Sequence, residues 1–139
     1  MIKLETSTEE LNAMCRNTIM EHLGIVFSEA GSDYIRATMP VDHRHHQPYG
    51  ILHGGASVTL AETLGSMGAH ISLKDSGMKC VGLEINANHL RSVRSGMVTG
   101  TARPIHAGRS TQVWEVHIED EQHRLVCVSR ITMAVLKND

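Results

Sequence analysis

The sequence predicts an α+β domain in which a curved antiparallel sheet of about six strands wraps around one long helix. The order of its apolar patterns is a short helix, two strands, a long helix and four more strands. Short connections between the last four strands favour antiparallel pairing. The long helix also carries Gly65 and Gly68 beside Ala61. Because an interior glycine costs up to about 1 kcal/mol relative to alanine, we expect these positions to pack closely against the sheet.

The residues before the long helix carry start and stop signals for a short helix and two strands. Ser7-Thr8-Glu9-Glu10 is a capping box, with Ser7 as the N-cap and the Glu10 side chain reaching back to it. Thr18 begins a second brief turn that runs through His22 and ends at Gly24. The turn at 31–33 and a proline at position 40 then bound two predicted strands, at residues 25–30 and 34–39.

The long helix is predicted over Gly54–Leu73 and contains one fully charged side chain, that of Glu62. Its apolar stripe comprises Leu60, Leu64, Met67 and Ile71. A carboxylate is costly to bury, so the simple alternative is an exposed glutamate on a solvated face. The other residues on the face of Glu62 are Thr59, Thr63, Ser66 and Ala69. Because none of them is charged, we interpret Glu62 as a functional residue.

Four strands follow the long helix, at residues 79–90, 97–104, 112–119 and 124–136. In the first of them, the alternation of apolar and polar residues predicts which side chains point inward. The inward set is Val81, Leu83, Ile85 and Ala87, and the outward set is Gly82, Glu84, Asn86 and Asn88. The free edges of such a sheet favour pairing with a second subunit.

The composition argues against several classes of protein. The 139 residues are expected to form a single domain, 1–139. A formal charge of −2 and 3% aromatic residues argue against a nucleic-acid partner. We expect no signal peptide, because the N-terminus has no apolar run of the required length. We expect no membrane span, because the 54–73 stretch holds Glu62, His70 and several hydroxyls. Three widely spaced cysteines predict reduced thiols in a cytoplasmic protein: Cys15, Cys80 and Cys127.

The start of the long helix, at His53-Gly54-Gly55, is a candidate binding site. The first N–H groups of a helix lack partners within it, and the positive end of the helix dipole favours negative charge there. The glycine pair could instead serve only to ease the turn into the helix. Gly54 and Glu62 are roughly 12 Å apart along the axis, at 1.5 Å per residue. If both act on one small group they come from different chains, which predicts a homodimer with antiparallel long helices.

The stretch His46–Ser66 resembles the central helix region of hotdog-fold thioesterases, with His-Gly-Gly and a glutamate eight residues after the first glycine. The similarity extends over nearly the whole chain, through Met39–Asp42, Val81–His89 and Pro104–Arg109. The chain resembles the branch of phenylacetate-degradation thioesterases and Glu-dependent 4-hydroxybenzoyl-CoA thioesterases. Within that branch it is similar to hydrolases of 1,4-dihydroxy-2-naphthoyl-CoA in menaquinone synthesis. It is also similar to proofreading thioesterases that clear misloaded aryl carrier protein in siderophore synthesis.

This resemblance implies a hotdog fold, hydrolysis of an acyl-CoA or acyl-carrier thioester without a cofactor or metal, and a homodimer that is expected to assemble into a homotetramer. Glu62 matches the catalytic carboxylate, which either attacks the thioester carbonyl or acts as general base for water. Gly54 matches the N–H that polarises the thioester oxygen. Gln47 and His53 match residues that orient the thioester and the nucleophile. Ser66 matches a hydroxyl that positions water or substrate.

The same resemblance places contacts for coenzyme A or a phosphopantetheine arm in three segments. They are Gly82; His89, Leu90, Arg91 and Ser92; and His106, Ala107, Gly108, Arg109, Ser110 and Thr111. Arg91, Arg94 and Arg109 could bind phosphates, since a guanidinium matches a phosphate bidentately. The alternative, that these are ordinary surface arginines, stays open, most of all for Arg94.

The remaining histidines and cysteines receive a structural interpretation. We expect a solvated loop, rather than a metal site, for the His-rich run of His43, His45 and His46 with His53. Cys80 and Cys127 are expected in the core. A surface or filling position is expected for His22, His70, His117 and His123. Two functions stay open beside a thioesterase, namely a non-catalytic acyl-CoA sensor and a hydratase of the same fold.

Overall fold

The computed structural model describes residues 2–139. Its elements are α1 (Thr8–Met14), α2 (Ile19–His22), β1 (Val26–Ala30), β2 (Ile35–Pro40), α3 (Gly54–Ser72), β3 (Met78–His89), β4 (Met97–Ala107), β5 (Thr111–Glu119) and β6 (Leu125–Lys137). Their order agrees with the prediction from the sequence. The largest difference in a strand boundary is at the end of β4, which continues three residues beyond Pro104 and so includes His106 and Ala107.

The six strands form one antiparallel sheet in the order β1-β2-β4-β5-β6-β3, so that β1 and β3 are its two edges. α3 packs against every strand from β2 to β6. Its apolar stripe is buried at Leu60, Leu64 and Ile71. A sheet around a central helix is the α+β hotdog architecture expected from the sequence. No helix within residues 2–139 combines the length and apolarity needed to cross a membrane.

The glycines of α3 lie where the helix backbone meets the sheet. A Cβ at Gly65 would overlap a methyl group of Ile131, and one at Gly68 would lie 2.6 Å from the Trp114 ring. From the other side, a Cβ at Gly100 on β4 would lie 2.5 Å from the side chain of Leu64. An alanine at any of these positions would force its neighbours to move. The expected close approach of helix and sheet is therefore confirmed.

The predicted alternation along β3 is wrong in its first half. Val81 and Leu83 are exposed to 47% and 62%, whereas Ile85 and Ala87 pack against the core as expected. The register with β6 shifts between Gly82 and Glu84, which marks a β-bulge. A bulge adds one residue to a strand and so reverses which side chains point inward on either side of it. Gly82, predicted outward, consequently faces α3.

The loop between β2 and α3 also differs from the expectation of a solvated His-rich run. His43 is exposed, but His45 is only 1% exposed. The His45 ring is held by hydrogen bonds at both nitrogens, to the Leu23 carbonyl and the Asp42 N–H. His46 Nε2 lies 2.8 Å from the Arg94 carbonyl oxygen. The expectation therefore holds for His43, whereas His45 packs against the end of α2 and is held by internal hydrogen bonds.

The N-caps of α1 and α2 form as predicted, but only one of the two hydrogen bonds of the predicted capping box is present. The Ser7 hydroxyl accepts a hydrogen bond from the Glu10 N–H at 3.1 Å, and the Thr18 hydroxyl accepts one from the Met20 N–H at 3.2 Å. The Glu10 carboxylate does not return to Ser7. It accepts a hydrogen bond from the Thr6 hydroxyl at 3.1 Å and pairs with a lysine that follows α3, Lys74.

Candidate active site

Glu62 lies in the middle of α3 and lines a cavity of about 660 Å³. The helix side of this cavity also includes Ser66 and His70, which follow Glu62 at intervals of four residues and so share its face. The remaining walls come from β3, β6 and the two N-terminal helices. They are largely apolar and include Met14, Ile19, Met20, Cys80, Val81, Gly82 and Met133.

Burial raises the pKa of the Glu62 carboxyl above the ordinary value of a glutamate. No cationic side chain within residues 2–139 offsets this effect. A Cβ built at Gly82 would lie 2.9 Å from Glu62 Oε1, so β3 approaches the carboxylate closely at a position without a side chain. Glu62 thus presents a partly desolvated carboxylate to an apolar cavity, which is the environment of a reactive base or nucleophile.

Ser66 stands one turn after Glu62 in the same cavity, as the sequence predicts. Its hydroxyl lies 3.8 Å from the Met133 sulfur, a weak contact that leaves the oxygen able to bind water or substrate. Thr59 and Thr63 also line this face, but their hydroxyls donate to the backbone carbonyls four residues earlier. Ser66 is therefore the hydroxyl on this face of α3 that is best suited to contact a ligand.

A second cavity, of about 370 Å³, lies at the N-terminus of α3. Its lining includes Gln47, Gly54, Ser57, His89, Leu90, Arg91 and Ser92. The His89 ring lies against the helix start, because a Cβ at Gly54 would be 2.8 Å from its Nε2. The structure therefore brings Gln47, Gly54 and the predicted segment His89–Ser92 together around one cavity.

The N-cap of α3 is His53, whose Nδ1 accepts a hydrogen bond from the Gly55 N–H at 2.8 Å. This bond satisfies one of the free donors of the helix and sets the direction of the first turn. The N–H of Gly54 donates to no group within residues 2–139 and remains available at the second cavity. Gln47 uses its side-chain oxygen to accept a hydrogen bond from the Tyr49 N–H. Its NH2 group is left as a donor toward a ligand.

The two cavities divide the predicted catalytic residues between them. Glu62 and Ser66 line the first, together with the predicted substrate contact Gly82, whereas Gln47 and Gly54 line the second. His53 lines neither, and the two cavities share no lining residue. Gly54 and Glu62 are eight residues apart and both belong to α3, so the separation of roughly 12 Å along its axis holds. One chain thus carries two half-sites, a carboxylate in one and a helix N-terminus in the other.

The hairpin between β4 and β5 lies away from both cavities in this chain. It includes His106–Thr111, and none of these residues lines either cavity. The hairpin is closed by a hydrogen bond from the Gly108 N–H to the Thr111 carbonyl at 2.8 Å and joined to β6 through Ser110. Gln112, the next residue, contacts Ser72 at the far end of α3. The role of this hairpin in binding coenzyme A stays a prediction.

The sequence left several cavity residues without a role. Val58, Met14, Ile19, Met20 and Met133 all line the first cavity, together with Cys80 and His70, which were expected in the core and at the surface. The helical interval from Glu62 could have identified Val58 and His70. The residues that α1 and α2 contribute to the cavity could not be identified from the local sequence, since their position depends on how those helices pack.

The described residues 2–139 contain no group of three or more His, Cys, Asp or Glu side chains placed to hold a metal ion. In the His-rich run, His43 faces solvent, His45 contacts the Leu23 carbonyl and His46 contacts the Arg94 carbonyl. All three cysteines are free thiols, with Cys15 and Cys127 buried and Cys80 half-buried. Burial raises the pKa of each thiol, which disfavours the reactive thiolate.

Comparison with known proteins places this geometry in a family. The model of the thioesterase superfamily matches residues 49–127, which include Gly54, Glu62 and all of α3. A solved thioesterase of Haemophilus influenzae is 53% identical, with a TM-score of 0.93 over 99% of this chain and 96% of that one. The proofreading thioesterase EntH of Cronobacter sakazakii is 52% identical over 134 residues, covering 96% of this chain and 97% of that protein.

A thioesterase of Staphylococcus aureus has been solved in two variant forms, each with a TM-score of 0.81 or more. The two structures are 37% and 36% identical to this chain, cover 86% and 85% of it and match 99% and 98% of their own length. One variant replaces a glutamate with alanine and the other replaces a glutamine that lies fifteen positions earlier. From these matches together with its own fold, the chain belongs to the thioesterase superfamily and is a thioester hydrolase of the hotdog fold.

Proposed function

We propose that the protein hydrolyses aromatic acyl-CoA thioesters to the free acid and coenzyme A, in sites shared by two copies of the chain. The observation that carries the proposal is the partly buried Glu62 carboxylate, which faces an apolar cavity of about 660 Å³. An acyl group fits such walls, while the carboxylate supplies the chemistry. The representative substrate is 1,4-dihydroxy-2-naphthoyl-CoA.

The reaction needs one carboxylate, one polarising donor and water. Glu62 either attacks the thioester carbonyl to form a mixed anhydride, which water then hydrolyses, or removes a proton from the attacking water. In both routes the Gly54 N–H stabilises the oxyanion, and the bond from carbon to sulfur breaks as the thiolate leaves. His53 fixes the first turn of the helix, Gln47 supplies a second donor, and Ser66 positions the water.

The shared site follows from the separation of the two half-sites along α3. β3 is an edge strand, and it exposes Val81 and Leu83 beside a row of backbone groups without partners in the sheet. Antiparallel pairing of β3 with the same strand of a second copy would satisfy that row and set the two α3 helices antiparallel. The Glu62 of each chain would then act with the Gly54 of the other. A homotetramer made of two such dimers is the assembly we propose, located in the cytoplasm.

The character of the first cavity supports an aromatic acyl group. Met14, Met20, Met67 and Met133 all line it. Methionine sulfurs make favourable contacts with aromatic rings, and these flexible side chains adapt to ring substituents. A naphthoyl or benzoyl group would bury its faces against them and present its thioester toward Glu62.

The coenzyme A arm is proposed to run from the second cavity along His89–Ser92 and onto the His106–Thr111 hairpin of a neighbouring chain. Arg91 lines the second cavity, whereas Arg109 is exposed on the hairpin. Both guanidinium groups could bind phosphates of the nucleotide. Reversing either charge, as in Arg91→Glu or Arg109→Glu, should therefore raise KM for a CoA ester more than it changes kcat.

Two observations from relatives bear on the proposal. Gln47 and Glu62 are fifteen positions apart, the same interval that separates the two residues replaced in the Staphylococcus aureus thioesterase. The 52% identity to the EntH proofreading thioesterase favours a second candidate substrate, misacylated aryl carrier protein. A phosphopantetheine arm would occupy the same channel as that of coenzyme A, so the site chemistry is common to both.

The test is release of free thiol, measured in parallel from dihydroxynaphthoyl-CoA, benzoyl-CoA and an aryl-carrier-protein thioester. We expect turnover of at least one aromatic substrate and a loss of about 10³-fold or more in Glu62→Gln. A higher kcat/KM with the carrier-protein thioester would select the second candidate. Binding of these thioesters without release of thiol would contradict hydrolysis, and near-normal rates in Glu62→Gln would remove its assigned role.

A further inference from the structure

The buried imidazole of His45 is a feature that the site chemistry does not use. It is 1% exposed in a loop whose neighbour His43 is largely open to solvent. Its Nε2 lies 2.7 Å from the Leu23 carbonyl oxygen, which can only accept, so Nε2 carries the proton. Its Nδ1 accepts the Asp42 N–H at 3.2 Å. Both ring nitrogens therefore have partners, which fixes the orientation of the ring.

His45 joins two parts of the chain that the two cavities depend on. Leu23 is the C-cap of α2, the helix that contributes Ile19 and Met20 to the cavity of Glu62. The backbone carbonyl of His45 accepts a hydrogen bond from the His53 N–H at 2.7 Å. His53 is the N-cap of α3 and immediately precedes the polarising Gly54. One residue thus ties the wall of the first cavity to the helix N-terminus at the second.

We propose that His45 is a positioning residue for thioester hydrolysis, which sets the direction of the Gly54 N–H by anchoring the loop before α3 to the end of α2. The inference rests on the proposed role of Gly54 as the polarising donor. An oxyanion donor acts only within a narrow range of positions, and a displacement of about 1 Å can cost on the order of 10²-fold in rate. A fully buried ring with two hydrogen bonds restricts the loop more than a solvated side chain would.

Arg44 provides a matched control, since it makes a neighbouring bond without contacting the α3 cap. Its Nη1 donates to the His22 carbonyl at 2.7 Å, one residue before the acceptor of His45. Its other donors bind Asp42, whose Oδ1 lies 3.2 Å from His45 Nδ1. Arg44→Gln therefore loosens the same helix end.

The experiment compares four variants by steady-state kinetics and thermal unfolding at pH 8. His45→Ala should lower kcat by about 10–100-fold with KM changed less than about 3-fold, because a donor acting in the transition state is misplaced. His45→Gln keeps an N–H near the Leu23 carbonyl and should recover most of kcat. His45→Asn keeps only an acceptor near the Asp42 N–H and should recover less. Arg44→Gln should lose thermal stability but keep kcat within about 2-fold.

Two results would overturn the inference. One is an unchanged kcat in His45→Asn, which applies even where His45→Ala does not fold. The other is an equal loss of kcat in Arg44→Gln and the His45 variants, which would make His45 merely structural. The backbone amide resonance of Gly54 gives a readout that does not depend on turnover. It should shift in His45→Asn and not in Arg44→Gln, so a failure of positioning is distinguished from a failure of the proposed hydrolysis.

Discussion

Glu62 combines two properties that oppose each other in a stable protein. It is the single fully charged side chain of α3, and burial raises the pKa of its carboxyl. A charge held in a partly desolvated position destabilises the fold, and such positions recur at functional sites. The conflict between stability and reactivity at this residue leads to two predictions that depend on pH.

Replacing Glu62 with glutamine should stabilise the protein at neutral pH. A carboxyl whose pKa is raised by folding binds its proton more tightly in the folded state, so wild-type stability falls as pH rises through the folded pKa. The gain in Glu62→Gln should be roughly 2–5 °C in melting temperature at pH 7.5. It should shrink as pH falls through the folded pKa and vanish below the unfolded value of about 4.3. Melting curves across this range check the prediction, and equal melting temperatures at pH 7.5 would contradict it.

The activity of the wild-type enzyme should follow the same group in the opposite sense. Both proposed routes need the Glu62 carboxylate, so kcat/KM should fall as pH decreases through a pKa above the ordinary glutamate value of about 4.3. Measuring kcat/KM between pH 4 and 8 tests for this decrease on the acidic side of the profile. A rate that stays constant down to pH 4 would mean that Glu62 keeps an ordinary pKa or is not the reacting base.

At the scale of elements, α3 is fitted to the sheet by its glycines. Gly65→Ala should lower the free energy of unfolding by about 1–2 kcal/mol, because overpacking against Ile131 costs more than the gain of roughly 1 kcal/mol in helix propensity. Thr59→Ala, on the open cavity face of the same helix, is the control and should change it by less than about 0.5 kcal/mol. Denaturant unfolding of both variants measures the difference. A more stable Gly65→Ala would show that propensity outweighs packing.

The elements also show which features can be predicted from the sequence. The order of helices and strands along the chain, the long helix that begins at Gly54 and the tight glycines follow from periodicity and composition, which are local properties. The β-bulge after Gly82 could not be predicted in this way, because it depends on the register of β3 with β6. Without it, Val81 and Leu83 would be placed inward. Burial of His45 likewise depends on α2, a partner distant in sequence, and no loop pattern reveals it.

The candidate site was predictable to a similar extent. Glu62 stands out as a lone charge, and Gly54 and His53 mark a helix start, so both half-sites are visible in the residues. The contribution of Met14, Ile19 and Met20 to the wall of the first cavity could not be predicted, since the apolar side chains of a short helix do not indicate what they pack against. The separation of the two half-sites follows from helix geometry alone.

At the scale of the whole molecule, the exposed edge of β3 is the surface that the proposed shared site requires. Leu83→Lys places a charge on that edge and should shift the protein to monomers, with kcat/KM reduced by about 100-fold or more because each site loses its second half. Val26→Lys alters an apolar residue that is 50% exposed on the opposite edge strand, β1, and should leave both properties unchanged. Sedimentation measures the oligomeric state of both variants, and steady-state kinetics measures their kcat/KM. A fully active monomer of Leu83→Lys would remove the shared site.

The central claim is that Glu62 of one chain acts with Gly54 of another, and mixed dimers test it most directly. Gly54→Pro removes the polarising N–H at a first helical position whose backbone suits proline, and its ring displaces the His89 side chain, which would lie 2.8 Å from a Cβ there. Glu62→Gln removes the carboxylate. Each variant alone should be nearly inactive. Co-refolded in equal amounts, they should regain about a quarter of wild-type activity, because half of the dimers are mixed and one of their two sites is intact. Gln47→Ala serves as a second donor-side variant. Mixed dimers, verified by two affinity tags, that remain inactive would contradict the shared site.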